Sequence, residues 1–241
     1  RKEKEKFREE FISILGHQLR NPLSAVKWSL EWLLKSGKLT HAEEKMFEDL
    51  YRGNQGLLRL IADMLTLSRV GKAALEKETF DVGQMAEEIM ERAKKEYPHV
   101  QFSCDTNNRP LPLTLEKTLA EQVFTNIIFN AAEYSSQSGG EVKIVVTHEG
   151  GGYIFFCKDN GIGIPKKEQP NIFSRFFRAS NARAYAPKGV GLGLFIVKMI
   201  ANDFGWSISF TSPLQGGKGT MFTVSIPITG LLPNTISPAI S

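Results

Sequence analysis

The sequence predicts two kinds of structure in one chain: a helical hairpin over residues 1–72 and an α+β sandwich over residues 79–228. Two observations lead to this fold class. Apolar residues recur at helical spacing in the first segment, and helical stretches alternate with strand-like runs in the second. A third segment, residues 229–241, has no periodicity and is predicted to be a flexible tail.

The first predicted helix carries an apolar stripe. At about 100° per residue, one face of an ideal helix collects the following side chains: Phe11, Leu15, Leu19, Leu23, Val26, Leu30 and Leu33. Such a stripe must be buried against another surface. The segment KSGKLT then interrupts the pattern. Gly37 can end the first helix there, and Thr40 can cap the next one, with Glu43 completing a capping box.

The second predicted helix carries a similar stripe, formed by Phe47, Leu50, Leu57, Leu58, Ile61 and Leu65. Two helices joined by a short loop form an antiparallel hairpin, and one hairpin cannot hide two stripes. Pairing two hairpins into a four-helix bundle would bury both of them. We therefore predict a homodimer assembled through residues 1–70.

Composition narrows the class of protein. Hydrophobic residues make up 41% of the chain and charged residues 23%, as in a globular rather than a disordered protein. Basic residues alternate with acidic ones, as in RKEKEKFREE, so we expect no nucleic-acid partner. Cys104 and Cys157 lack metal-ligand spacing and are predicted to be buried free thiols.

No run of residues is long and apolar enough for a transmembrane helix, and no signal peptide is visible. We therefore expect a cytoplasmic fragment. Because the chain begins with Arg rather than Met, we also expect it to be a piece of a longer protein, which could be membrane-tethered.

Helices and strands alternate in the second segment. Helical patterns cover 84–96, 116–134 and 190–204, and the strand-like runs are VQFSC, EVKIVVTH, GYIFFCK, WSISFTS and GTMFTVSIP. The GGG at 150–152 is typical of a β-hairpin turn. Mostly antiparallel strands with helices on one face make an α+β sandwich.

The stretch HQLRNPL indicates a functional surface on the first helix. On an ideal helix His17 lies opposite the apolar stripe, as an ordinary surface histidine also would. Pro22 removes the backbone hydrogen bond to the carbonyl of Gln18, which can cost about 3 kcal/mol. A helix that tolerates this loss beside an exposed histidine favours a functional interpretation. Asn21 lies one turn beyond His17 on the same side.

Three polar and glycine-rich motifs follow in the second segment. VFTNIIFNAAEY places Asn126 and Asn130 one helical turn apart, and an amide oxygen is a suitable ligand for Mg²⁺. KDNGIGIP follows a strand and holds Asp159, Gly161 and Gly163. KGVGLGLFIVKMI leads into a helix, where glycines let backbone N–H groups approach phosphate oxygens. Each motif alone is also typical of an ordinary loop or polar helix face, so the order of the motifs carries the argument.

Taken together, the motifs resemble the transmitter module of sensor histidine kinases over residues 4–228. HQLRNPL resembles the histidine box, FTNIIFNAAEY the asparagine box, DNGIGIP and KGVGLGLFIVK two glycine boxes, NIFSRFFR the phenylalanine box, and GGKGTMFTV the last glycine segment. The resemblance implies a dimerisation and phosphotransfer hairpin, followed by the ATP-binding sandwich of gyrase, Hsp90 and MutL (the Bergerat or GHKL fold). It also implies a reaction in which the γ-phosphoryl group of ATP passes to a histidine and then to an aspartate.

The resemblance makes His17 the phosphoacceptor, with Gln18 and Asn21 as its catalytic neighbours. It implies a homodimer, a response regulator receiver domain as partner, and an upstream sensor module in the full-length protein. The family usually has Glu or Asp in place of Gln18, and this departure bears on the rate rather than the architecture.

For the nucleotide, the resemblance implies ATP and Mg²⁺. Asn130 would bind Mg²⁺, Asn126 would support the phosphates, and Asp159 would accept a hydrogen bond from the adenine amino group. The other nucleotide-binding residues would be Tyr134, Gly161, Gly163, Ile164, Lys188, Gly189, Val190, Gly191, Leu192, Gly193 and Thr220. The family often has a basic residue in place of Glu133.

Residues 165–188 would form a mobile lid over ATP. Phe176 and Phe177 would either pin this lid to the hairpin or simply fill a core. Arg175 and Arg178 would contact phosphate or the other domain.

Two other function classes stay open. A non-catalytic dimeric scaffold that binds ATP would account for Gln18 and Glu133, whereas the intact His17, Asn130 and Asp159 argue against it. An ATPase clamp similar to MutL or Hsp90 would need a transducer domain after the sandwich and no phosphoacceptor hairpin before it.

Overall fold

The computed structural model describes residues 2–36, 39–70, 76–106, 110–186, 189–214 and 217–228. The chain divides into two compact units. One comprises Arg1–Ala74 and Pro170–Met199, and the other comprises Leu75–Gln169 and Ile200–Ser241. The predicted tail and the predicted helix stop at Gly37 lie outside the described residues. The predicted domain boundaries at residues 72 and 79 stay predictions.

Two long helices form the hairpin: α1 (Lys2–Lys35) and α2 (His41–Arg69), which pack against each other. The capping box is confirmed at the start of α2. The Thr40 hydroxyl accepts a hydrogen bond from the Glu43 backbone N–H, and the Thr40 backbone N–H donates to the Glu43 carboxylate at 2.8 Å. Pro22 lies inside α1, as the sequence predicts. None of the described helices is long and apolar enough to cross a membrane.

The two apolar stripes are buried only in part, as expected for a hairpin that cannot hide both alone. Leu30, Ile61 and Leu65 are buried, with 5–8% of each side chain exposed. Other apolar side chains of the two helices remain exposed: Leu19, Val26, Met46, Leu50, Leu57 and Met64. A second apolar surface is therefore needed to cover them.

Seven strands are described: β1 (Glu78–Asp81), β2 (Val100–Asp105), β3 (Pro112–Leu115), β4 (Gly140–Glu149), β5 (Gly152–Asp159), β6 (Ser207–Thr211) and β7 (Met221–Pro227). Five of them form a sheet in the order β2-β4-β5-β7-β6, in which β2 pairs parallel with β4 and the other pairs are antiparallel. The predicted α+β architecture is confirmed. The short strands β1 and β3, which pair in a separate antiparallel ladder, were not predicted.

The remaining helices are α3 (Val82–Glu96), α4 (Lys117–Tyr134), α5 (Ser180–Tyr185), α6 (Gly193–Asp203) and a short 3₁₀ helix (Gln169–Asn171). Helices α3 and α4 pack against each other, and both contact β2 or its neighbours in the sheet. Phe124 of α4 is fully buried, and its ring centroid lies 4.7 Å from that of Phe155 and 6.0 Å from that of Trp206. This aromatic core holds α4 against the sheet.

The predicted β-hairpin is confirmed. Glu149 pairs with Gly152, so β4 and β5 are joined by Gly150 and Gly151 alone. Both glycines have positive φ, 58° and 85°, as a tight turn between strands of normal twist requires.

The cysteines are both free, but only Cys157 is buried, whereas Cys104 is half-buried. The prediction of burial is therefore wrong for Cys104, which follows the alternating exposure of the edge strand β2. Burial still raises the pKa of Cys104 to about 11 and raises the pKa of Cys157 well above its ordinary value, so neither thiol is ionised near neutral pH.

Candidate functional site

Asn126 and Asn130 lie one turn apart on α4, as predicted. The side-chain nitrogen of Asn126 is buried and has no hydrogen-bond acceptor among the described residues. A buried donor without a partner costs about 1–3 kcal/mol, so a ligand that brings an oxygen acceptor would relieve this cost. The Asn126 amide therefore fits a group rich in acceptor oxygens, such as a phosphate.

Asp159 ends β5 and is 6% exposed. Its Oδ1 accepts hydrogen bonds from the backbone N–H groups of Gly161, at 2.8 Å, and Thr220, at 3.2 Å. Burial raises the pKa of the Asp159 carboxyl to about 6, although these two bonds act in the opposite direction. Since neither bond uses Oδ2, this second oxygen is the acceptor that a ligand donor could meet.

Gly161 allows the loop after β5 to approach the end of α4. A Cβ at this position would collide with the carbonyl oxygen of Tyr134, the last residue of α4. The same carbonyl accepts a hydrogen bond from the backbone N–H of Ile162 at 3.1 Å. Gly163 has a φ of 65°, which few other residues adopt. The asparagine-bearing helix and the Asp159 loop are therefore in direct contact.

Two residues that sequence reasoning missed join Ile164 to Thr220. The Ser212 hydroxyl accepts from the Ile164 backbone N–H at 2.8 Å and lies 3.0 Å from the Thr220 hydroxyl. The Gln169 side-chain nitrogen donates to the carbonyls of Ser212, at 2.6 Å, and Ile164, at 3.1 Å. No local pattern could have revealed these contacts, because residues 164 and 212 are far apart in the sequence.

The glycine-rich loop precedes α6, which begins at Gly193. Gly191 has a φ of 75°, and a Cβ there would lie 2.6 Å from the carbonyl oxygen of Phe177. Val190 is exposed and Leu192 is buried. The first turn of a helix carries backbone N–H groups without helical partners, which favours anion binding. Lys188 lies outside the described residues.

Arg178 binds backbone groups around the glycine-rich loop, and its predicted contact with phosphate or the other domain stays a prediction. Its guanidinium donates to the backbone carbonyls of Ala182 and Ala186, at the end of α5, and of Gly189. A side chain at Gly189 would meet this guanidinium, since its Cβ would lie 3.2 Å from Arg178 Cζ. Arg178 therefore fastens the glycine-rich loop to α5.

The phenylalanine box is exposed at one of its three aromatic residues. Phe176 is 59% exposed and has a φ of 62°, which is rare for a residue with a side chain. The interpretation of Phe176 as simple core is therefore wrong, whereas Phe177 is half-buried. Arg175 lies over the ring of Phe195, 5.0 Å from its centroid.

The histidine box lies within α1. Asn21 and Pro22 are exposed, while the side chains of His17 and Gln18 lie outside what the structure describes. One contact from α2 reaches this region: the Asn54 side-chain nitrogen donates to the carbonyl of Leu23 at 2.8 Å.

Two family models match the chain. The "His Kinase A (phospho-acceptor) domain" matches residues 7–73, and the "Histidine kinase-, DNA gyrase B-, and HSP90-like ATPase" matches residues 115–230.

Curated relatives match over nearly the whole chain. It is 32% identical to the sensor-like histidine kinase SenX3 of Mycolicibacterium smegmatis, over 91% of this chain and 57% of the relative. It is 30% identical to the sensor histidine kinase WalK of Bacillus subtilis, over 91% of this chain and 36% of the relative. It is 28% identical to the sensor protein KdpD of Clostridium acetobutylicum, over 93% and 25%. The chain thus spans about a quarter to somewhat over half of these proteins.

Solved structures share the fold. The mycobacterial sensor histidine kinase MprB matches with a TM-score of 0.56 and 27% identity, over 62% of this chain and 97% of that structure. Full-length ShkA, crystallised with AMPPNP, matches with a TM-score of 0.67 and 24% identity, over 90% and 45%. The order of the two matched domains is that of the motifs in the sequence. The chain therefore carries the two domains of a histidine kinase transmitter module, in which a phosphoacceptor domain precedes a gyrase- and HSP90-like ATPase domain.

Proposed function

We propose that the chain is a protein-histidine kinase that transfers the γ-phosphoryl group of ATP to His17, and from there to an aspartate of a response regulator. The observation that carries the proposal is the buried Asp159 carboxylate, with Oδ1 held by two backbone N–H groups. It lies in a domain of the ATP-binding type, on the same chain as a matched phosphoacceptor domain.

Asp159 would recognise adenine. Its Oδ2 can accept a hydrogen bond from the exocyclic amino group, whereas guanine would present a carbonyl oxygen to the carboxylate. With a pKa of about 6, the carboxyl is ionised at neutral pH and acts as an acceptor only. ATP should therefore bind much more tightly than GTP.

The phosphates would be bound by polar groups of two kinds. Asn126 would donate its unpartnered N–H to a phosphate oxygen, and the N–H groups of Gly189, Gly191 and Gly193 would do the same near the start of α6. Asn130 would hold Mg²⁺ through its amide oxygen. The bound ion would neutralise charge on the phosphates during transfer.

In the proposed transfer, an unprotonated ring nitrogen of His17 forms a bond to the γ-phosphorus. The bond from that phosphorus to the β–γ bridging oxygen breaks, and ADP leaves with the electron pair. The proton on the other ring nitrogen needs an acceptor. The side-chain carbonyl of Gln18 can accept this hydrogen bond but cannot take the proton, so we expect a competent but slow kinase.

Two exposed tryptophans support a protein partner near the histidine. Trp28 and Trp32 are 68% and 71% exposed and lie one turn apart on α1. Position 28 is eleven positions after position 17, so an ideal helix brings it back to within about 20° of the same face. A receiver domain that reaches His17 would cover these side chains. Trp28→Ala should slow phosphotransfer to the cognate receiver without changing autophosphorylation.

Incubation with ATP labelled on the γ-phosphate tests the proposed activity. The chain should become labelled in an acid-labile and base-stable form, and His17→Gln should abolish the label while nucleotide binding persists. Label of equal strength on His17→Gln would contradict the assignment of the phosphoacceptor.

The same experiment separates the alternatives. Release of labelled phosphate without a labelled protein would favour an ATPase. Binding of ATP with neither product would favour the non-catalytic scaffold.

A further inference from the structure

Asn160, directly after Asp159, makes side-chain contacts that none of the proposed ligand roles explains. Its Oδ1 accepts hydrogen bonds from the backbone N–H groups of Glu141, at 3.0 Å, and Ser136, at 3.4 Å. Its Nδ2 donates to the carbonyl of Gly139 at 2.7 Å. Two donors and one carbonyl thus fix which end of the amide faces which partner, and only an amide of this length offers both.

Two of the partners, Ser136 and Gly139, lie in the connection between α4 and β4, and the third, Glu141, lies at the start of β4. This connection leaves α4 at Tyr134 and enters β4 at Gly140. It is tightly folded, because a Cβ at Gly140 would lie 2.6 Å from the carbonyl oxygen of Ser136. A side chain that grips it therefore grips the end of α4.

The end of α4 is close to the proposed phosphate-binding residues. Asn130 is four residues before Tyr134, about 6 Å along a helix that transmits position rigidly. The Tyr134 carbonyl is itself held by the Ile162 N–H. Loop 159–162 thus contacts the end of α4 through the Ile162 backbone N–H, and it contacts the connection after α4 through the side chain of Asn160.

The Asp159 carboxylate does not depend on these contacts. Its Oδ1 is held by Gly161 and Thr220, and its backbone N–H donates to the Thr220 carbonyl at 2.9 Å. Loss of the Asn160 side chain would therefore remove one of the contacts that position the end of α4, while leaving the base-recognising carboxylate in place.

We propose that Asn160 is a positioning residue for nucleotide binding. It fixes the end of α4, and through it Asn126 and Asn130, relative to the Asp159 carboxylate, so that the base and the phosphates of one adenine nucleotide are recognised at a set separation. The inference rests on the proposed function, since its ligand is an adenine nucleotide.

The test compares two ligands, Mg-ADP and adenosine, by calorimetry and competition. Residues that orient a metal or its ligands typically contribute about 10–100-fold to affinity, so Asn160→Ala should weaken Mg-ADP by about tenfold. Adenosine lacks phosphates, and its affinity should not change. Asn160→Thr keeps one oxygen acceptor, so its affinity for Mg-ADP should lie between those of Asn160→Ala and the unsubstituted chain. Asn160→Thr replaces Asn160→Ala in the test if the alanine variant does not unfold cooperatively.

Ser136→Ala is the matched control. It removes the hydroxyl bond to the Ser138 carbonyl within the same connection but keeps the backbone N–H that Asn160 binds. Both ligands should bind this variant as they bind the unsubstituted chain.

Three results would overturn the inference: unchanged Mg-ADP affinity in both Asn160 variants, equal weakening of both ligands, or equal weakening by Ser136→Ala. If the unsubstituted chain binds neither ligand, or binds adenosine as tightly as Mg-ADP, the proposed function itself fails and the role of Asn160 fails with it.

Discussion

The helical hairpin and the sheet domain bury their apolar side chains to different extents. In the sheet domain Phe124 and Phe155 are fully buried within one chain. Among the described side chains of α1 and α2, only Leu30, Ile61 and Leu65 are buried apolar residues, while eight large apolar side chains are at least 42% exposed. The sheet domain therefore has a complete core in one chain, whereas the hairpin needs a second apolar surface.

The exposed apolar side chains of α2 form a candidate contact for that surface. Met46, Leu50, Leu57 and Met64 recur at intervals of four and seven residues and form one stripe. We propose that a second copy of the chain covers this stripe in a four-helix bundle.

The largest effect is expected in the core of the sheet domain. Phe124→Ala should lower the free energy of unfolding of this domain by about 3–5 kcal/mol, because it leaves a cavity beside Phe155 and Trp206. Urea denaturation of the full chain measures it. Phe129→Ala, at a half-buried position, should cost less. An equal loss of stability in the helical hairpin would show that the effect of Phe124→Ala is not confined to the sheet domain.

The next effect should separate the hairpin from its second copy. Leu57 is half-exposed in one chain, so a charge there is harmless in a monomer but would be buried in the dimer. Leu57→Glu should weaken association by on the order of 3 kcal/mol per copy. Sedimentation measures the association of the two copies, and Trp28→Glu, at an exposed position of α1, is the control. A dimer that withstands Leu57→Glu would place the interface elsewhere.

Asp159 should reveal a destabilising charge inside the complete domain. The pKa of the Asp159 carboxyl is raised from 3.8 to about 6, so the folded state binds its proton more tightly than the unfolded state does. The stabilisation from this proton is fully present below pH 3.8 and is lost as the pH rises through 6. Asp159→Asn keeps an acceptor at Oδ1 and should raise the free energy of unfolding at pH 7.5 by up to about 3 kcal/mol. The gain should vanish near pH 4.

Asp159→Asn should also weaken the binding of ATP, because an amide N–H would face the adenine amino group. In the unsubstituted chain, affinity for ATP should fall by about tenfold between pH 7 and pH 5 as the carboxyl takes up a proton. Asp203→Asn, at an exposed position, is the control for both measurements. Unchanged stability in Asp159→Asn would show that the buried charge is compensated.

A smaller effect is expected at the histidine box. Gln18→Glu should speed autophosphorylation by about tenfold, the low end for a positioned proton acceptor, without changing ATP affinity. Single-turnover rates at saturating Mg-ATP measure it. A rate that is equal or slower would show that the site has adapted to the amide.

The smallest effect should come from the polar interior of the hairpin. Asn54 is 6% exposed, and its Oδ1 is buried without a partner among the described residues. Asn54→Leu removes this atom and should raise the free energy of unfolding of the hairpin by about 1 kcal/mol. Asn54→Ala, which also removes packing, should lower it. A loss of stability in Asn54→Leu would show that the bond to the Leu23 carbonyl matters more.

The sequence predicts those features whose causes are local. The Thr40 capping box and the Gly150–Gly151 turn each involve a few adjacent residues, and both are confirmed. The strands β1 and β3 escaped prediction because each has four residues, and their pairing joins Glu78 to Leu115. Alternation over four residues is too short to distinguish a strand from a loop.

The candidate site divides in the same way. Asn130 and Asp159 belong to motifs whose order along the chain resembles that of a known family. Asn160 lies within the DNGIGIP motif, but its partners come from a distant part of the chain, and Ser212 lies in none of the quoted motifs. Arg178 could be recognised as a functional arginine but not as the partner of the Gly189 carbonyl.

The strand order has a consequence for synthesis of the chain. β7, the last of the described strands, lies between β5 and β6 in the sheet. A ribosome therefore releases β4, β5 and β6 before the strand that must join β5 to β6 has emerged. Until then, β5 and β6 each present an unpaired edge to their surroundings, which is where strands from other molecules add. Chains that stop before residue 221 should accumulate in aggregates rather than as shortened, soluble kinases.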